Sequence, residues 1–301
     1  MLTTERRLLE STPLEDSKPI PRSNRRRRVP RSSRTLNILI SVALVLGAFA
    51  TAFPFFWMVT SALKTRSEAL AYPPKLLPET ITFDHIAELF TQLDFTKYLG
   101  NTVAVVLISF VGLLLMAMAG YALAKFDFKG KKVMFFIVLV TMMVPVQVTM
   151  IPTYLILNGM KLTNTLLGIA LPTLVSGFSI FLFRQFMLTI PTDMLEAARL
   201  DGAGEIRIFA QIVLPLAKPI LAVQAILTFI AGWNSFLWPL IIANDQNLYT
   251  LSVGLALLND QIATDPSLQM AASSVMVVPI LVIFVIFQRH IVQGFSLSGL
   301  K

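Results

Sequence analysis

The sequence predicts an all-α integral membrane protein with six transmembrane helices and one structured polar loop between them. Composition is the first observation: of 301 residues, 55% are hydrophobic and 14% charged, where soluble domains carry roughly a quarter charged residues. The second is a series of apolar stretches near the roughly 20 residues that a bilayer core requires. The third is an uneven distribution of Arg and Lys between the loops. Cysteine is absent, which excludes disulfides and thiolate metal sites. His85 and His290 lie far apart and form no recognisable metal motif.

Residues 1–35 hold ten Arg or Lys, including Arg25 to Arg28. This stretch is too charged and too poor in apolar residues to fold alone, so a disordered basic cytoplasmic tail is expected. Its charge orients the next helix and pairs with anionic membrane lipids. A nucleic-acid arm is the lesser alternative. The apolar run that follows is too long for a signal peptide.

That run, residues 36–63, is 28 residues without a charge and forms the first span, with Pro54 placed to kink it. A mixed, charged loop with Pro73, Pro74 and Pro78 follows over 64–98. The second span covers about 99–124. The third, about 133–157, is interrupted by Pro145 and Pro152, and the fourth, about 165–187, contains Pro172 and Gly177. The fifth runs about 219–242 and opens at Pro219, where proline suits a first helical turn. The sixth, about 271–287, has Pro279 in its middle. Carbonyls freed by these prolines need neighbouring helices or water, but prolines are frequent in membrane helices and by themselves say little about transport.

Six spans leave both termini on one side. With the N-terminus inside, the inner segments carry ten Arg and Lys in 1–35, four in 125–132, four in 184–218 and two in 289–301, twenty of the twenty-five. Acidic residues divide nearly evenly, nine inside and eight outside. The basic excess marks the cytoplasmic face. The formal net charge of +8 is therefore mostly a topology signal, which leaves nucleic acid without a role as partner.

No Asp, Glu, Lys or Arg lies mid-span, where each costs about 2.5–3.5 kcal/mol on insertion scales. An ion-coupled carrier ordinarily accepts that cost to obtain a relay. The polar residues within the spans are neutral: Asn101, Gln147, Gln224 and Asn234, the last beside Trp233, Phe236 and Trp238. Gln147, Trp233 and Asn234 are candidate solute-pathway residues, since an amide beside an aromatic ring both hydrogen-bonds and stacks a sugar. An aromatic interface belt with an interhelical hydrogen bond is the plainer reading. A phosphate-cradling G-x-x-x-x-G-K-[ST] loop is absent. Gly130-Lys131 lacks the glycine five residues earlier, so ATP, if used, is bound by another chain. No catalytic constellation of serine, histidine and acid stands out, and the chain does not read as an enzyme.

The loop 190–218 is a polar passage framed by Pro191 and Pro219. Asp193, three residues before Glu196, suggests a capping box opening a helix over about 194–200. Gly202 is placed to end that helix in the left-handed region. A second short helix over 205–213 should stop at Pro215. Neither is long enough to be stable alone, so both need a surface. An amphipathic segment lying on the membrane is one such arrangement.

The spacing Glu196-Ala197-Ala198, three residues, Gly202, nine residues, Ile212, one residue, Leu214-Pro215 resembles the EAA motif of ABC importer permeases. Pro54 to Trp57 with Ser61 to Lys64, Asn101-Thr102, Gly120 to Ala124, Ile151 to Tyr154, Asn164-Thr165, Trp233-Asn234 and Phe287 to Arg289 extend the resemblance over most of the chain. They are similar to the carbohydrate-uptake branch, in particular the maltose- and glycerol-phosphate-type second permease subunit. The resemblance implies the type I importer permease fold with a cytoplasmic coupling helix, in which Glu196, Ala197, Ala198, Asp201, Gly202, Ile212, Leu214 and Pro215 meet an ATP-binding subunit. It implies a second, different permease, two ATP-binding subunits, an extracytoplasmic solute-binding protein and residence in a bacterial or archaeal inner membrane. No cofactor is expected in this chain. Residues 243–271, with Asp245, Asp260 and Asp265, would face the binding protein. A stand-alone secondary transporter of a small polar solute and a non-transporting scaffold are the competing readings.

Overall fold

The apolar stretches form helices, and no strand occurs among the described residues, 34–262 and 265–296. In this computed structural model, side chains are described for 35–257 and 265–288. The basic tail up to residue 33 and the side chains of Asp260 and His290 lie outside these residues. The chain divides into two units at Ala52–Phe53. The described part of the first is helical and belongs to α1 (Arg34–Ala62), which continues unbroken through Pro54.

In the second unit, the charged loop after α1 carries two short helices, α2 (Arg66–Ala69) and α3 (Asp84–Gln92). Lys64 begins this loop. Its ammonium donates to the Lys75 carbonyl at 2.6 Å and sits 4.1 Å from the Trp57 ring centroid. Burial pulls its pKa down, and Glu68 opposes that shift. α4 (Phe95–Lys125) follows, long enough to cross a membrane alone, as are 35–62 of α1 and the first 23 residues of α15 (Pro266–Ser296).

The expected third span is not one rod. α5 (Lys131–Met143) and α6 (Val146–Gly159) meet at 106°. Pro145 pushes Val144 into the extended region at ψ 119°, which ends α5. The fourth bends by 41° between the turns 166–173, which begin with α7 (Leu166–Ala170), and α8 (Gly177–Met187). The 190–218 passage folds as α9 (Thr192–Leu200), α10 (Glu205–Ile208), a π-helical turn over Phe209–Val213 and α11 (Leu214–Leu216). An 82° bend then leads into α12 (Lys218–Trp233).

The fifth span also departs from expectation, because α12 stops at Trp233 and the chain restarts as α13 (Leu237–Ile242). A helix continued through Pro239 would press the proline ring against the carbonyl of Ser235. α14 (Leu251–Ile262) lies between α13 and α15.

α4 is the spine, packing against α8, α12, α7 and α14. Its contact with α8 is close because glycine faces it. A Cβ on Gly120 would stand 2.5 Å from the Phe183 Cβ and 2.9 Å from the Arg184 nitrogen. Small residues permit such approach where no hydrophobic force draws helices together in lipid. Two asparagines and a threonine pin the 243–251 connection. The Asn101 amide donates to the carbonyls of Asn247 (2.7 Å) and Tyr249 (3.0 Å). Asn164 accepts from the backbone N–H groups of Asn244 and Asp245, both at 3.0 Å. Thr102, fully buried, accepts from the Leu251 N–H at 2.8 Å.

Candidate functional site

The two short helices after Pro191 are held by the end of α4, and that support explains how they exist at all. Leu195, Ile208 and Val213 are completely buried in one cluster with Met116, Tyr121 and Phe183 from α4 and α8. Burying each such side chain contributes about 1.5–3 kcal/mol, enough to offset the poor intrinsic stability of helices this short. The bilayer is therefore not the only surface open to this segment, since its inner apolar side chains already rest on protein.

The expected capping box does not form. α9 begins at Thr192 with Pro191 in the cap position, and no side chain caps it. Pro191, at φ −59° and ψ 131°, turns the chain directly into the helix. Asp193 sits inside the first turn, where its charge still complements the helix dipole. At the other end the expectation holds: Gly202 takes φ +81°. Its N–H bonds the Arg199 carbonyl and the Ala203 N–H bonds the Ala198 carbonyl, both at 3.0 Å. These two bonds make a Schellman ending, which requires the left-handed residue that glycine supplies without strain. The second helical piece runs past Pro215 to Leu216 before the bend.

The motif residues divide by face. Glu196, Ala197, Asp201, Gly202 and Pro215 are exposed, whereas Ala198, Ile212 and Leu214 are half-buried against the cluster below. Leu200 and Ile206, on either side of Gly202, are 90% and 83% exposed. These apolar side chains and the charged residues around them form the outer face of the segment.

A charged clamp, not anticipated from sequence, ties the two helices together and to α4. Arg199 donates to Glu205 through Nε at 2.6 Å and Nη2 at 3.4 Å, closing a fork across the Gly202 break. The Tyr121 hydroxyl donates to the second Glu205 oxygen at 3.2 Å. Tyr121 is itself fixed edge-on to Phe126 and tilted against Phe209, with centroids 5.4 and 5.5 Å away. The Arg199 hydrogen bond holds the Glu205 carboxyl below the usual carboxylate range, with partial burial opposing, and raises the guanidinium in return. Lys125, at the end of α4, donates to the Ile190 carbonyl at 2.5 Å and reaches Thr192 Oγ1 at 3.4 Å. The segment is thus bonded to α4 at its start, through Lys125, and at Glu205, through Tyr121. Six residues across a glycine break is not a helical pairing distance, and Tyr121 lies 84 residues from Glu205, so no local pattern announced the clamp.

The candidate pathway residues are scattered. Gln147 lies exposed in the first turn of α6, just beyond Pro145. Trp233 is 4% exposed, stacked on Phe229 at 5.2 Å, and its indole N–H donates to the Met276 carbonyl at 2.9 Å. Its ring is a packing element. Asn234 is exposed and lines a cavity of about 490 Å³ where α12, α14 and α15 converge. Gln147 does not line this cavity.

Apolar broken helices around a structured polar segment define a multi-pass helical membrane protein. A model of the inner-membrane component of binding-protein-dependent transport systems matches residues 116–297. The chain belongs to that family, whose members are transport components and not enzymes. It is 34% identical over 275 residues to the arabinooligosaccharides transport system permease protein AraQ of Halalkalibacterium halodurans, covering 90% of this chain and 99% of that one. It is 31% identical over 272 residues to the sn-glycerol-3-phosphate transport system permease protein UgpE of Brucella abortus, covering 86% and 95%. Its fold matches a chain of a bacterial ABC transporter involved in the import of the acidic polysaccharide alginate, with TM-score 0.76, 24% identity and coverage of 86% and 97%.

Proposed function

We infer that this chain is the membrane-spanning permease subunit of an ATP-driven, binding-protein-dependent importer of a sugar or sugar-derived solute. It works beside a second, different permease, two copies of an ATP-binding subunit and an extracytoplasmic binding protein. The observation that carries the reading is the segment Thr192–Leu216: one face is packed on α4 and α8, and the opposite face presents Glu196, Ala197, Asp201 and Gly202 to a partner. ATP closes the ATP-binding pair, the docked segment moves, and the clamp at Glu205 and Lys125 passes that movement to the helices. Both termini and this segment lie in the cytoplasm, and six spans cross the membrane; the basic excess of the inner loops supports that orientation. The solute class is supported by the relatives, which the names above give as carriers of oligosaccharides and glycerol phosphate.

Glu196→Lys reverses a charge on the docking face, and Gly202→Pro forces φ near −65° where the turn requires a positive value. Both variants should insert in the membrane and lose solute uptake. Normal uptake by both would refute the reading. Gradient-driven flux through the purified chain alone would establish the stand-alone carrier instead.

A further inference from the structure

We propose that the cavity between α12, α14 and α15 is a contact site for a neutral, hydroxyl-rich saccharide on this subunit itself. The proposal rests on the importer reading above and assigns a site and a solute chemistry to it.

The cavity holds about 490 Å³, within the roughly 300–1,000 Å³ span of small-molecule sites. Asn234 and Phe236 come from the break after α12, Ser252 from α14, and Gln269 and Ser273 from α15. Gln269 and Ser273 are four residues apart, so they stack on one helix face about 6 Å apart. Ser252 donates its hydroxyl proton to the Trp233 carbonyl at 3.1 Å, which leaves its oxygen lone pairs to accept from a solute. The Asn234 amide and the Ser252 and Ser273 hydroxyls supply both donors and acceptors, the pattern a ring of sugar hydroxyls requires. Phe236, 40% exposed, adds an apolar face for the C–H side of a ring. The α12 end of the cavity is held in place, because Trp233, next to Asn234, is buried and bonded to Met276 of α15.

Two physical arguments narrow the occupant. Amides turned toward hydrocarbon are costly, so this face is fit for water, solute or protein and not for lipid. Among the described residues no charged side chain lines the cavity. An anionic solute would find no countercharge among them. The two relatives described above carry one neutral and one anionic solute class, and this lining fits the neutral one.

The chain contains no cysteine, which gives a clean test. Ser273→Cys and, separately, Ala256→Cys at the cavity edge each introduce a single thiol in this subunit. The complete importer is reconstituted with its binding protein, held with a non-hydrolysable ATP analogue, and labelled with a maleimide. Arabinotriose and sn-glycerol-3-phosphate are the probes, and Ser67→Cys on the exposed loop after α1 is the control. At ten times its dissociation constant, mass action leaves roughly one site in eleven empty, so arabinotriose should slow labelling about tenfold at both cavity thiols. Labelling at Ser67→Cys should not change. ATP-driven uptake of arabinotriose without protection at either thiol overturns the cavity site while leaving the importer reading intact. Protection by sn-glycerol-3-phosphate alone overturns the neutral class. Loss of every ATP-driven uptake in the unmodified complex overturns the importer reading and the site with it.

Discussion

Replacing Glu205 with alanine removes the acceptor that joins α9, α10 and α4. In the fork, Arg199 Nε lies 2.6 Å and Nη2 3.4 Å from the carboxylate. The two side chains are 34% and 41% exposed. Hydrogen bonds to charged groups contribute about 1.5–3 kcal/mol when shielded, and exposed ion pairs about 0.2–1 kcal/mol. Exposure at this level places the Arg199–Glu205 pair near the top of the lower range, about 1 kcal/mol. Depriving the buried Tyr121 hydroxyl of its acceptor adds roughly half as much, limited by the 3.2 Å length of that bond. The sum, about 1.5 kcal/mol, is slightly more than a tenfold change in a local opening equilibrium. Hydrogen–deuterium exchange of the assembled importer reads this directly. Amides of residues 195–213 should exchange about tenfold faster in Glu205→Ala, with Glu205→Gln between it and the parent protein. Unchanged exchange over 195–213 in Glu205→Ala would refute the clamp and its role in carrying movement to α4.

Acid should imitate that substitution. Because Arg199 lowers the folded-state pKa of Glu205, the carboxylate's contribution is present above its ordinary value and is lost as pH falls through the depressed one. Protection of 195–213 should therefore persist at neutral pH and drop only in strong acid, with Glu205→Gln showing no such step; the same acid step in Glu205→Gln would assign it to another group. Thr102→Val removes the acceptor of the buried Leu251 N–H while keeping the side chain's shape. It should cost about 1–3 kcal/mol and lower the melting midpoint of the detergent-solubilised complex, and an unchanged midpoint would contradict this account of the 243–251 connection.

What sequence reveals here follows the physics of each signal. Long uncharged runs identify α1, α4 and α15, because hydropathy and length are sufficient for helices that cross unaided. Proline locates the breaks, as at Pro145, but not the size of the turn, since 106° depends on what α5 and α6 pack against. The end of α12 at Trp233 was marked only by Asn234, Ser235 and Pro239 inside an otherwise apolar stretch. The prolines at 191 and 219 bracket the polar segment that folds as α9 to α11, and Gly202 announced its own backbone region. The capping box failed because Pro191 opens the helix two residues earlier than Asp193 would. The clamp of Arg199, Glu205 and Tyr121 was invisible for a different reason: its partners meet only after the chain has folded back on α4. Trp233 shows the reverse error, since an aromatic ring beside an asparagine looked available for solute yet is buried with its N–H occupied.

The central claim is that the exposed face of Thr192–Leu216 docks on the ATP-binding subunit in the cytoplasm. Site-specific photocross-linking tests it with one reactive residue at Ala197 and another at Tyr72, which is 96% exposed on the loop after α1. In the assembled importer, the probe at 197 should give a covalent adduct with the ATP-binding subunit, and the probe at 72 should give none. An adduct from position 72, or its absence from position 197 in an intact complex, would contradict the account.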